Sequence, residues 1–402
     1  MPPETKFSKP QYCTWIEFID NQNQEDILKY AKTIKEKNMP IGEIILDDGW
    51  QYTFGDWTFN KKTFPDPKKL INELKEMGFD VSLWICPFVS EKAPDYKYLE
   101  KNNLLIREPN GEVAIRKWWN GKDPILDFTN PKAREWFSKK CQWLIDEYGI
   151  SGFKQDAGDP LYYRDDDLLY EKITANEHSL YWAKSALDFE YNELRACWKG
   201  GGFGIAQRLA DKRHGWSRFF GLRCLVPNML ALGIIGHPFG CPDMVGGGLE
   251  FNFGENAKFD NELFVRFAQC SALMPMMQYS KSIWNLEDKE TSRLCIEAAN
   301  YHQKFVDYII EVAKESANTG EPIVRYMEYE FPKSGYGKIT QQFMLGDKYL
   351  VAPMVWKRKK RKIHFPEGCN WKDVETEEII NGGQVLKLAI PLDKLPVYEK
   401  IL

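Results

Sequence analysis

The chain has 402 residues, is 43% hydrophobic and 28% charged, and carries a formal net charge of -4, so it can bury a large core but offers no basic field to a polyanion, which argues against a nucleic-acid role. Its nine cysteines, from Cys13 to Cys369, show no close pair at metal-ligand spacing, so neither a metal site nor a disulfide framework is expected and no cofactor is called for. The absence of a leader-like apolar segment, of a membrane-length apolar run and of an Asn-x-Ser/Thr acceptor leads to the expectation of an intracellular protein with no membrane segment.

Asn23 caps a predicted helix whose apolar positions Ile27, Leu28, Ala31 and Ile34 follow the helical period, and Pro40 ends it before a strand at Glu43–Leu46. Asp47 and Asp48 stand at that strand's carboxyl end. Asp66 and Pro67 open a second helix, Gly78 closes it, and Val81–Ile85 is a strand. Asn130-Pro131 starts a third helix, which stops at Gly149 before the strand that delivers Asp156. A fourth copy is predicted as a helix from about Leu180 to Leu194, then a short strand at Phe203–Ala206. Helices alternating with short apolar strands indicate parallel βα units with functional loops at the strands' carboxyl ends. Polar clusters at several such ends favour a (β/α)₈ TIM barrel over a doubly wound sheet, and no glycine-rich phosphate loop opens these helices.

From about Glu321 the pattern turns to short strands separated by glycine, proline and asparagine. The expected organisation is a barrel over residues 1–315 followed by a small antiparallel β-sandwich over 316–402. The cationic run Lys357–Lys362 reads as a solvated hairpin tip within it.

The run Ile150-Ser151-Gly152-Phe153-Lys154-Gln155-Asp156-Ala157-Gly158-Asp159 brings a carboxylate from a strand into a glycine-containing turn. Lys154, two residues earlier on the same strand face, can hold Asp156 ionised and donate to a substrate hydroxyl. Hydrolysis of a glycosidic bond needs two facing carboxyl groups, about 5 to 5.5 Å apart for retention or about 6.5 to 9.5 Å for inversion. Asp211, just beyond the fourth predicted strand, is the candidate partner. Burial against Trp216 or proximity to Asp156 would keep it protonated. Fourteen tryptophans offer platforms for sugar faces, although core packing uses the same residues.

Together these segments resemble glycoside hydrolase family 31 along nearly the whole chain. Gly152–Asp159 is similar to the family's nucleophile strand, and Asp211 falls at its general acid/base. Arg195 matches the arginine that contacts substrate. Further matches are Gly55–Phe59 with Phe64–Asp66, Gly236–Phe239 with Pro242-Asp243-Met244-Val245-Gly246-Gly247, and Arg266-Phe267-Ala268-Gln269. The resemblance implies a retaining exo-α-glycosidase in which Asp156 attacks, Asp211 transfers the proton, and Asp47 and Asp48 hold sugar hydroxyls. Lys154, Arg195 and Asp243 would contribute polar contacts, and Trp50, Trp84 and Trp118 are stacking candidates. Where the family usually has an arginine-asparagine-histidine, this chain has Met277-Gln278-Tyr279-Ser280, so Tyr279 replaces a sugar-binding histidine. That departure, the paired aspartates and an acid/base segment closest to the myogenesis-regulating glycosidase branch point to α-galactosides first and α-glucosides second. The family's N-terminal β-sandwich has no counterpart in this sequence, so either this branch dispenses with it or the chain is a fragment, and its loss would leave apolar surface that a partner, including a second copy of the chain, would cover. The reading from a different class is a catalytically inactive barrel that binds glycans or a protein.

Overall fold

A computed structural model describes residues 1–197, 199–254 and 257–401. Among them, eight parallel strands form one sheet: β1 (Gln11–Cys13), β2 (Glu43–Leu46), β3 (Asp80–Ile85), β4 (Gly152–Gln155), β5 (Tyr191–Leu194), β6 (Gln207–Arg208), β7 (Gly240–Cys241) and β8 (Gln278–Tyr279). From β1 to β7 each strand pairs with the next in chain order, and β8 pairs with β1. Just past β7, Met244 bridges Gln278, and the Val245 N–H donates to the Gln278 carbonyl at 2.8 Å, which closes the cylinder.

The helices between the strands end where their sequences dictate. Asn23 accepts from the Asp26 N–H at 3.0 Å and starts Gln24–Glu36, whose Ile27, Ala31 and Ile34 are buried. Asp66 and Asn130 cap Pro67–Glu76 and Pro131–Tyr148, each with proline at the first turn. Gly149 closes the latter at φ 71°, and its amide donates back to Ile145. At the amino-terminal end of the cylinder the short helix Glu4–Ser8 places the buried Lys6 ammonium 2.6 Å from Glu43 of β2.

Two expectations are corrected. The helix read as running to Leu194 spans Ala175–Ser185, and Tyr191–Leu194 is the barrel strand β5. Its buried Asn192 and Glu193 hide strand character behind polar residues. The Asn192 side chain takes the Ala206 N–H at 3.0 Å, and Glu193 accepts from Gln278 at 2.7 Å. The next strand therefore falls at Gln207–Arg208, beyond Phe203–Ala206, so Asp156 and Asp211 follow alternate strands, with β5 between them.

The second correction concerns the cationic run. The C-terminal region builds a six-stranded antiparallel sheet from β9 (Val324–Arg325), β10 (Phe343–Leu345), β11 (Tyr349–Val351), β13 (Asn370–Asp373), β14 (Ile379–Asn381) and β16 (Val397–Ile401). Against it lies the pair β12 (Lys360–Phe365) with β15 (Gln384–Ala389). The run Lys357–Lys362 is no hairpin tip, because the chain crosses there from β11 in one sheet to β12 in the other. Arg361 turns inward, 5% exposed, and caps the Pro353 and Gln341 carbonyls. Met344, Leu350, Ile363, Phe365, Trp371 and Tyr398 form the core between the sheets. The Arg266–Gln269 motif belongs to the junction, where Arg266 donates to the Ile390, Pro391 and Lys394 carbonyls and Gln269 to Leu392.

Candidate active site

The carboxyl ends of the barrel strands open into a cavity of about 560 Å³. Asp47, Asp48, Trp84, Lys154, Asp156, Arg195 and Asp211 all line it. At its floor, the Lys154 ammonium of β4 lies 2.6 Å from Asp47 at the end of β2, both groups almost fully buried. Burial works against the Lys154 charge, yet the Asp47 carboxylate, and then Cys13, hold it firmly protonated. Beside it, Asp48 accepts from Gln51 and from the Asn120 amide. Burial and the Asp47 charge push the Asp48 carboxyl up to about 6.

Asp156 leaves β4 into a turn with two successive left-handed residues, Ala157 at φ 58° and Gly158 at φ 73°. A Cβ at Gly158 would collide with the Trp182 indole, so glycine is required there twice over. The carboxylate accepts from the Ala157 N–H at 2.8 Å, the Arg195 Nε at 3.0 Å and the Trp84 Nε1 at 3.2 Å. Burial alone would raise its proton affinity, but the Arg195, Arg208 and Lys154 cations prevail and hold Asp156 well below the usual carboxylate range. Arg195, at the end of β5, is itself clamped by a two-pronged pair to Asp159 at 2.9 and 3.0 Å.

Across the cavity, beyond β6, Asp211 sits with its side chain one-third exposed and Oδ1 2.5 Å from Nη1 of the buried Arg208. The arrangement joins an ionised carboxylate, a second acid open to solvent, and a floor of alternating charge.

Four expected contacts lie outside the cavity. Trp50 is fully buried against Phe59, its indole N–H given to the Trp84 carbonyl. Trp118 stacks on Phe88 at 4.1 Å and donates to Asp123. Tyr279 packs against Tyr12 with its hydroxyl on the Cys295 carbonyl, because a residue on a two-residue strand that points outward faces the helical layer. Asp243, 0% exposed, lies behind Arg208. In their place the cavity gains Trp119, Asn120, Arg208, Trp15 and Leu161. Trp119 and Asn120 form the tip of a hairpin, Ile115–Trp118 paired with Gly121–Pro124, that projects over the site. The Arg195 guanidinium lies over the Trp119 ring, 5.8 Å from its centroid. The strand ends at Trp118 and Trp119 begins the turn, their rings 5.0 Å apart, and the sequence does not say which of the pair reaches the cavity.

The profile of the glycosyl hydrolases family 31 TIM-barrel domain matches residues 1–312, and that of the family's C-terminal domain matches residues 320–400. The chain belongs to family 31. Among family 31 relatives, the myogenesis-regulating glycosidase of Mus musculus is 30% identical over 98% of this chain and 56% of its own length. Alpha-glucosidase 2 of Bacillus thermoamyloliquefaciens is 26% identical over 94% of this chain and 51% of its own. The chain thus spans about half the length of these curated relatives. A solved family 31 alpha-xylosidase from a soil metagenome, complexed with xylose, superposes with a TM-score of 0.87 at 24% identity, over all of this chain and 64% of that one. The barrel and the antiparallel sheets of this chain are the family 31 architecture. Among the described residues no helix is long and apolar enough to cross a membrane.

Proposed function

We propose that this chain is a retaining exo-α-glycosidase acting on terminal α-linked sugars, α-galactosides first and α-glucosides second, by double displacement. The observation that carries this reading is the shared cavity of Asp156, held ionised by Arg195, and Asp211, the acid open to solvent. Asp156 attacks the anomeric carbon as the C–O bond breaks and Asp211 gives its proton to the leaving oxygen. Asp211 then takes a proton from water, which releases the sugar from Asp156. The floor supports an exo mode, since Asp47, Asp48 and Lys154 close it with two acceptors and a donor for hydroxyls of the terminal ring. That paired-acid floor supports galactose, and the alpha-glucosidase name of one relative supports glucose as second choice.

A panel of 4-nitrophenyl α-galactoside, α-glucoside and α-xyloside, with the anomer of the first-released sugar read by NMR, tests the proposal. Release of the α-anomer, fastest from the galactoside, is expected. Release of the β-anomer would replace retention with inversion, and sugar binding without any turnover would leave a glycan-binding barrel.

A further inference from the structure

A puzzle lies behind Asp211. A general acid must hold a proton at the start of the cycle, yet this carboxylate touches a buried guanidinium at 2.5 Å. Arg208, however, is not Asp211's alone. Its Nη1 also lies 3.1 Å from Asp243, and its Nε lies 3.2 Å from Glu193. One cation therefore serves three acids, of which only Asp211 reaches the cavity.

We infer that Asp243 is a positioning residue that sets the proton affinity of Asp211 by competing with it for the same nitrogen of Arg208. The inference rests on reading Asp211 as the acid/base group.

Asp243 is built for such a role. It follows β7 at φ 97°, a conformation L residues rarely adopt. Its two oxygens are both committed, Oδ1 to Arg208 and Oδ2 to the Lys212 N–H at 2.7 Å, so the carboxylate cannot swing away to solvent. Burial, and then the Asp211 charge, push Asp243 up against the pull of Arg208 and Lys212. The other charges around Asp211 are Lys212 on its own loop, with its ammonium turned to the Ala210 carbonyl, Glu193 of β5, Arg195 and Asp156 across the cavity, and Glu250 on its wall. None of these shares the Nη1 contact.

The test is the pH profile of kcat/KM in the wild type, Asp243→Asn and Arg208→Gln. Asparagine tolerates positive φ, so the first variant removes charge without the backbone penalty. With Asp243 neutralised, Arg208 acts on Asp211 undivided, and the alkaline limb is expected to move toward acid by about one unit or more. Arg208→Gln is expected to move it the opposite way. Asp243→Asn is also expected to slow an alkyl α-glycoside, whose leaving group needs the proton, at least about tenfold more than a 4-nitrophenyl one. An unmoved limb with equal slowing on both substrates would overturn the inference and leave Asp243 as a loop anchor. Difference infrared titration of the Asp211 carboxyl, with Asp211→Asn as the blank, decides the same question without turnover. Identical titration in wild type and Asp243→Asn overturns the coupling. A wild type that hydrolyses no glycoside instead overturns the glycosidase reading, and the infrared shift still stands or falls on its own.

Discussion

Replacing Lys154 by methionine is the sharpest test of the cavity floor. Unit charges 2.6 Å apart attract by about 6 kcal/mol at an effective dielectric of about 20, against which several kcal/mol of desolvation must be set. Removing the ammonium strands Asp47, which is 4% exposed. A stranded buried charge costs about 3–5 kcal/mol. Asp47 keeps two donors, the Asp48 N–H at 2.9 Å and the Cys13 thiol at 3.0 Å, so the lower figure of about 3 kcal/mol applies. The double variant Lys154→Met/Asp47→Leu removes both charges and is expected to recover to within about 1 kcal/mol of wild type. Urea denaturation followed by tryptophan fluorescence measures all four corners of the cycle. A single variant that loses less than about 1 kcal/mol, or a double variant as unstable as the sum of its parts, would refute the account of the floor.

Asp156→Asn is expected to lose activity on the order of 10³-fold or more, with azide restoring turnover on an activated glycoside; full activity in that variant would remove Asp156 from the mechanism. Arg195→Met takes away the nearest cation holding Asp156 ionised. Because the native carboxyl lies below its ordinary value, its ionisation stabilises the fold above about pH 4 and that contribution fades as pH falls through the native value. In the variant the acid limb of kcat/KM is expected to rise by about one unit or more, and an unmoved limb would contradict the assigned cause. Trp119→Ala should raise KM with the fold intact, by an interaction of about 1 kcal/mol, whereas Trp118→Ala should cost about 3–5 kcal/mol of stability. A reversal of the two would mean that the hairpin faces the other way. Gly158→Ala combines a positive φ with a clash against Trp182 and is expected to destabilise by about 2–3 kcal/mol, visible in the same urea titration.

Much of the fold was legible because its signals are local. Asn23, Asp66-Pro67, Asn130-Pro131 and Gly149 mark helix ends through backbone groups one turn away, and the apolar β2, β3 and β4 follow them directly. What failed was the strand whose partners are distant. Tyr191–Leu194 buries an asparagine, which takes the Ala206 N–H and gives to the Ala186 and Phe189 carbonyls, and a glutamate, which meets Gln278 and Arg208, so the polar pair masks the strand in its own sequence. The cavity followed the same division. Asp47, Asp48, Lys154, Asp156, Arg195 and Asp211 were named from strand-end position and family resemblance, and all six line it. Arg208 was passed over because its importance lies in three acids from three separate strand ends, and Asp243 was misplaced toward substrate because burial behind a neighbour is a tertiary fact.

The hairpin that brings Trp119 and Asn120 over the cavity grows from the segment between β3 and β4, and it is held by Arg116 gripping Glu108 and Asp167 and, at its tip, by the Asn120 amide on Asp48. The cleft is therefore assembled from two parts: strand termini that carry the charged floor and the two acids, and an inserted canopy that adds Trp119 and Asn120 to its wall. Under the proposed glycosidase reading, substitutions in the canopy would retune the accepted aglycone while the strand-end acids keep their places, so a lineage could change its diet without rebuilding its chemistry.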